Sequence, residues 1–239
     1  MQSLNAYRHG MSEALAERRL QAPPVIAPFV ALVLLFAVFI IAVGLYIAPD
    51  HRPDRHFDEQ GLVTYASALF MAATSGFAFL CFLLRMPARD RGRWLWLLIW
   101  LGFLYFSVDE VLEFHERLDW TIAESPIGPA ETFRNWNDVV VISYGLVGAL
   151  VMLSFLPEIL RYRRVPELLG LGFGCYALHT LIDSVVVNDT PTSRMIEESA
   201  KLFSGAFFSL AVFAALLAIY QRRRAMSAKA PPESPAGTP

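Results

Sequence analysis

Between Asp109 and Glu116 the chain reads DEVLEFHE, which sets Asp109, Glu110, Glu113 and Glu116 around one imidazole, His115. Carboxylates clustered in a low-dielectric place either hold protons or hold a cation. The chemistry on offer is therefore proton transfer or metal binding. Two other segments carry complementary groups. His179 and Asp183 stand at i,i+4, a histidine with a carboxylate able to orient its ring. Glu197 and Lys201 have the same spacing, that of a helical ion pair, with Glu198 beside them. His51, His56, Asp58 and Glu59 fall in one short segment that could close over such a site. On residue type, Asp109, Glu113, His179, Asp183 and Glu197 are the candidate metal ligands. Glu110, His115, Glu116, Glu198, Lys201, His56 and Glu59 are the groups expected around them. Histidine with several carboxylates suits Fe, Mn or Zn, whereas a thiolate site has no support. Cys81 and Cys175 form no CxxC and read as buried apolar thiols. The Glu-x-x-His spacing of four-helix di-iron proteins is missing, since Leu112 and Tyr176 stand three residues before His115 and His179.

The elements that must position these groups follow from composition. The chain has 239 residues, 55% of them hydrophobic and 18% charged, with a mean hydropathy of +0.44. Soluble domains carry about 25% charged residues. Six stretches contain no Asp, Glu, Lys or Arg over 15 residues or more: 21–49, 61–84, 94–108, 139–157, 168–182 and 202–221. A bilayer crossing takes roughly 20 mostly apolar helical residues. The expected fold is an all-α, polytopic bundle of six transmembrane helices. A nucleic-acid binder is excluded by the net charge of −2, and a disulfide-stapled secreted domain by the two cysteines. Residues 1–23 are expected to form an N-terminal segment with an amphipathic helix on the membrane surface. Residues 24–221 form one membrane domain, and residues 222–239, rich in Pro, Ala and Ser, a disordered tail. Gly170, Gly172 and Gly174, with Ser204, Gly205 and Ala206, read as close helix packing.

Lys and Arg counted segment by segment from the N-terminus run 3, 2, 4, 2, 3, 2, 4. The positive-inside rule then places both termini in the cytoplasm, as expected for an uncleaved multi-pass protein of a bacterial inner membrane. The acids are distributed the other way. Only Glu13, Glu17, Asp90, Glu158, Glu167 and Glu233, of 22, fall in the cytoplasmic segments.

The apolar runs 94–108 and 168–182 are too short to cross: at 1.5 Å per residue they reach only about 22 Å of a core of roughly 30 Å. The third span continues through DEVLEFHERLDW without Pro or Gly, so an unbroken helix is expected to carry Asp109, Glu110 and Glu113 into the outer bilayer. On that helix Asp109, Glu113 and Glu116 form one stripe, with Glu110 and His115 turned away. The fifth span takes in His179 and Asp183, and the sixth descends through Glu197, Glu198 and Lys201. Three helices thus deliver ionisable groups to the same outer third. Such groups are costly at bilayer depth unless they face the bundle interior and pair, and convergence meets that condition. The plainer readings are a frayed helix end, a histidine gluing two helices and compensation of a helix dipole.

DEVLEFHERL, preceded by FDEQGLVTYASAL and followed by EESAKLF, resembles a group of bacterial polytopic membrane proteins of unassigned function that carry a DE-x4-HE helix. The likeness spans about residues 57–205. There is a remote similarity to the alkaline ceramidase and adiponectin-receptor superfamily, which implies a zinc held by His and Asp in a helical bundle, although its paired HxxxH is absent. Glu197–Glu198 with Lys201, and HxxxD at His179–Asp183, are remotely similar to the EExxxR and His motifs of CAAX-type intramembrane proteases, with the order reversed and the Arg missing. Three classes of function remain open. One is a metal-dependent membrane enzyme acting at the outer leaflet on a lipid-like or hydrophobic small molecule. Another is a proton- or cation-coupled carrier, and the third an accessory subunit with a structural charge network.

Overall fold

The computed structural model describes residues 2–20, 26–47, 53–58, 60–88, 90–126, 136–185 and 190–228. Among them every regular element is helical. A first helix, α1 (Gln2–Leu20), precedes α2 (Ala27–Ala42), which ends in a π-helical turn at Val43–Ile47. α3 (Leu62–Arg85), α4 (Arg93–Leu112), α5 (Phe114–Ala123), α6 (Trp136–Ser154), α7 (Leu156–Leu160), α8 (Val165–Val185) and α9 (Pro191–Ala228) follow. Six of the helices are long and apolar enough to cross a membrane, from Ala27–Tyr46, the most apolar, to Pro191–Ala228.

α9 is the hub. Its start is fixed by Thr190, whose Oγ1 accepts the Ser193 N–H at 3.1 Å while the Ser193 Oγ accepts the Thr190 N–H at 3.0 Å. Pro191 takes the first helical position, where no N–H is needed. Small residues then let neighbours approach, as membrane helices require when apolar surroundings remove the hydrophobic drive for association. A Cβ added at Gly205 would meet the Phe70 Cβ of α3 at 3.3 Å, and one at Gly172 would meet the Phe208 ring at 2.8 Å. The Ser204 hydroxyl donates to the Gly172 carbonyl at 3.0 Å, tying α8 to α9. Across α3 and α4, Ser75 donates to the Trp100 carbonyl and Ser107 to the Ala68 carbonyl. Gly170 and Gly174 do not take the packing role expected of them, because a Cβ at either would meet nothing.

α2 and α6 lie at the periphery and turn Leu32, Leu35, Leu146, Val147 and Leu150 outward, each more than 60% exposed or close to it. Such apolar faces are far larger than a monomer shows to water and suit lipid. α9 continues through Arg222, Arg223 and Arg224 to Ala228, past the boundary expected at residue 221, because Arg, Ala and Met favour helix. Cys81 is fully buried and Cys175 only partly so.

The helix expected to run unbroken through the acidic segment breaks at Glu113. Its φ of 55° and ψ of 41° are left-handed, and they end α4 and start α5. A non-glycine residue there costs roughly 1–2 kcal/mol. The break dissolves the expected Asp109–Glu113–Glu116 stripe and re-aims everything beyond it.

Candidate functional site

One cavity of about 880 Å³ opens at the end of the bundle where α4 finishes and α9 begins. All five candidate ligands, Asp109, Glu113, His179, Asp183 and Glu197, line it, as do Glu110, His115, Glu116, Glu198 and Lys201. His56 is half-buried nearby but is not part of the lining. Glu59 and His51 lie outside the described residues.

The pairing inside the cavity differs from the one the spacing suggests. With the chain turned at Glu113, His115 comes back over Asp109 instead of pointing away. Asp109, 4% exposed, accepts the His115 backbone N–H on Oδ1 at 3.1 Å and faces Nδ1 with Oδ2 at 2.9 Å. The first contact satisfies an orphan donor of the opening turn of α5. In the tautomer protonated on Nδ1, the second is a hydrogen bond that His115 donates to the carboxylate. Glu113 itself receives a hydrogen bond from the Gln60 amide at 3.3 Å. Backbone held in an unfavourable region by its surroundings is a feature that clusters at functional sites.

Lys201 does not pair with Glu197 in the manner of an i,i+4 couple. Its ammonium lies 2.8 Å from Glu198 Oε1 and 2.9 Å from Glu110 Oε1, bridging α9 to α4. Glu110, expected to face away, is thereby turned inward, and all three residues are at least nine-tenths buried. Thr64 completes Glu198 by donating to Oε2 at 3.2 Å. Buried charges are tolerable when paired and hydrogen-bonded in this way.

His179 faces Glu197 of α9, at 3.6 Å from Nδ1 to Oε1, where the spacing suggested a couple with Asp183. That distance is too long for a hydrogen bond. His179 is 8% exposed, and its Nδ1 has no hydrogen-bond partner among the described residues.

Several lining residues carry no sequence signal of their own. Arg55, Gln60 and Arg194 are among them, and Arg194 of α9 pairs with Asp58, a lining residue of the segment expected to close over the site. Phe103, Phe106, Tyr144, Tyr176 and Phe208 form an aromatic floor. The Tyr176 hydroxyl donates to the Val141 carbonyl at 2.7 Å, and Gly145 leaves room for its ring, since a Cβ there would sit 2.7 Å from it. Tyr176 stands one helical turn before His179, the only hint of its place. Among the described residues no three His, Cys, Asp or Glu are gathered so as to hold a metal ion.

A family described as a domain of unknown function (DUF8692) matches residues 25–216, which take in every residue lining the cavity. The chain belongs to this family. No curated protein and no solved structure matches it.

Proposed function

We propose that the chain is a multi-pass protein of a bacterial inner membrane, with both termini cytoplasmic and the cavity facing the outer leaflet. There it admits a hydrophobic, lipid-like molecule and carries out acid–base chemistry on its polar end. One observation carries this reading. A single cavity joins an aromatic floor to a rim of carboxylates and histidines, and on that rim a buried Asp109 holds His115 by two contacts. A carboxylate that fixes the ring and its tautomer is what a general base needs. The volume suits a medium-sized ligand.

The opposite end of the bundle supports an enzyme over a carrier. Beyond the cavity the bundle is packed by a buried apolar cluster that includes Leu95, Trp96, Leu168 and Ala215. A divalent metal on Asp109, Glu113, His179, Asp183 and Glu197 remains the rival form of the same proposal. To bind one, these side chains would have to close around a common point.

Photolabelling in nanodiscs with a diazirine-bearing fatty alcohol tests the reading. Adducts should map to Phe103, Phe106, Tyr176 or Phe208 and fall when the cavity is blocked by Gly145→Phe. Adducts confined to Leu32, Leu35 and the outer face of α6 would reject it. Elemental analysis of the same preparation separates the two forms: a stoichiometric metal that His179→Ala removes places the chemistry on the metal. Reporter fusions after Ser125 and after Arg224 should read outside and cytoplasm respectively.

A further inference from the structure

The cavity is walled on one side by α6, the least buried of the six candidate spans, and the two seams of that wall are built differently. Toward α8 the helix is fastened at close range. A Cβ at Gly145 would sit 2.7 Å from the Tyr176 ring, one at Gly148 would meet the Phe173 ring at 3.8 Å, and the Tyr176 hydroxyl bonds the Val141 carbonyl. Toward α4 the contact is made by the ends of side chains. The hydroxyls of Tyr105 and Tyr144 lie 2.6 Å apart, and the Tyr144 ring centroid is 5.7 Å from that of Tyr105 and 5.2 Å from that of Phe106. One turn before Phe106, on the same face of α4, a Cβ at Gly102 would meet nothing.

The α4 seam also divides two surroundings by a single layer of side chains. Phe106 and Tyr144 line the cavity, and Tyr105 does not. Tyr105 is 40% exposed and continues the exposed stripe of Leu101, Leu104 and Val108, the face turned to lipid in the proposed membrane. One hydroxyl bond thus joins a residue of the outer surface to a residue of the cavity. Parting the two hydroxyls in hydrocarbon leaves both without a partner, which makes the bond a closure. Opening this seam asks three rings to rotate. Opening the other asks α6 to lift off a ring seated against its backbone.

We propose that the hydrophobic ligand enters the cavity sideways from the bilayer, between α4 and α6, and that the Tyr105–Tyr144 hydroxyl bond latches this entrance. The proposal rests on the reading of the cavity as a site for a hydrophobic molecule and adds its route. Removing one hydroxyl should speed entry roughly two- to tenfold, the weight of one neutral hydrogen bond. The amount bound at equilibrium should stay nearly constant, because the latch is closed in the empty and in the loaded protein alike.

The test uses the full chain in nanodiscs and the same diazirine-bearing fatty alcohol, flash-irradiated at set times after mixing, with adducts on Phe103 and Phe208 read by mass spectrometry. Tyr105→Phe and Tyr144→Phe should each label faster by that factor. The double variant should label no faster than either, since both remove one bond. Phe variants that load at the wild-type rate overturn the latch. In a chain carrying Cys81→Ala and Cys175→Ala, a bifunctional methanethiosulfonate linker between Tyr105→Cys and Tyr144→Cys should slow labelling about tenfold or more, and dithiothreitol should restore it. The same linker between Gly148→Cys and Phe173→Cys, across the α8 seam, should leave the rate unchanged. Equal slowing by both linkers overturns the route, because stiffening of the bundle would then account for it. A linked α4 seam that loads as fast as the unlinked one overturns the entrance and leaves the cavity standing. Adducts on neither floor residue in any form overturn the reading of the cavity itself.

Discussion

The two ends of the bundle handle buried charge in opposite ways. At the arginine-rich end Glu158, 5% exposed, is saturated. It takes contacts from Arg85 at 3.1 Å, Arg161 at 3.1 Å, the Trp96 indole at 3.3 Å and the Tyr162 hydroxyl at 2.5 Å. Arg85 also reaches Asp90 at 2.5 Å, and Arg161 passes to Glu17, which Arg222 holds at 2.9 Å. Gly92 admits the Glu158 carboxylate so closely that a Cβ would sit 2.5 Å from Oε2. Burial beside this carboxylate holds the Tyr162 phenol well above its ordinary range. Acids and bases interlock here, and the Glu158 carboxylate is bonded on both oxygens. At the acid-rich end carboxylates outnumber cations among the described residues around an open cavity. The closed network does what stability asks. The open one departs from those rules, as sites that bind or react do.

The comparison breaks most readily at Glu158. Glu158→Ala strips Arg85 and Arg161 of their shared carboxylate in a packed place, and losing one partner of a buried pair costs about 3–5 kcal/mol. Low yield and a thermal midpoint far below the wild type are expected in detergent. Gly92→Ala should follow in the same direction by pushing the carboxylate aside. A Glu158→Ala protein of ordinary stability would make the inner network a surface feature and remove the contrast.

Lys201→Ala makes the matching cut at the open end. It leaves Glu110 and Glu198 buried without the ammonium that bridges them, a loss of the same kind. The cavity beside them can hold water, which restores part of the solvation, and Thr64 still donates to Glu198. The expected cost is smaller, about 2–3 kcal/mol, with the variant folded and its ligand binding altered. Measuring both midpoints in one detergent sharpens the comparison, and a Lys201→Ala loss exceeding that of Glu158→Ala would reverse it.

How far the sequence reached follows the same division. Six apolar runs and their alternating flanks were plain, because membrane crossing demands long stretches of one composition. The meeting of α4, α8 and α9 groups was legible too, since the short runs at 94–108 and 168–182 forced polar residues inward. The partners were not. Spacing couples His179 to Asp183 and Glu197 to Lys201, but pairing is decided between helices, and there Lys201 reaches Glu110 and His179 faces Glu197. Glu158 and Asp90 read as loop acids, since nothing local reveals that Arg85 and Trp96 close over them. The break at Glu113 had no marker at all: no Gly, Pro or Asn announces it, and only the fold around it sustains it.

That break gives the finest test, because its sign changes with the backbone. In a continuous helix glycine is worse than alanine by about 1 kcal/mol. At a left-handed residue the order inverts, since glycine alone is free of the Cβ clash that costs roughly 1–2 kcal/mol. Both Glu113→Ala and Glu113→Gly lose the Gln60 hydrogen bond, so their difference isolates the backbone. Glu113→Gly should melt a few degrees above Glu113→Ala, by about 1 kcal/mol. The reverse order would mean that α4 runs straight on into α5. His115 would then swing away from Asp109, and the open end would lose the dyad that sets it apart from the closed one.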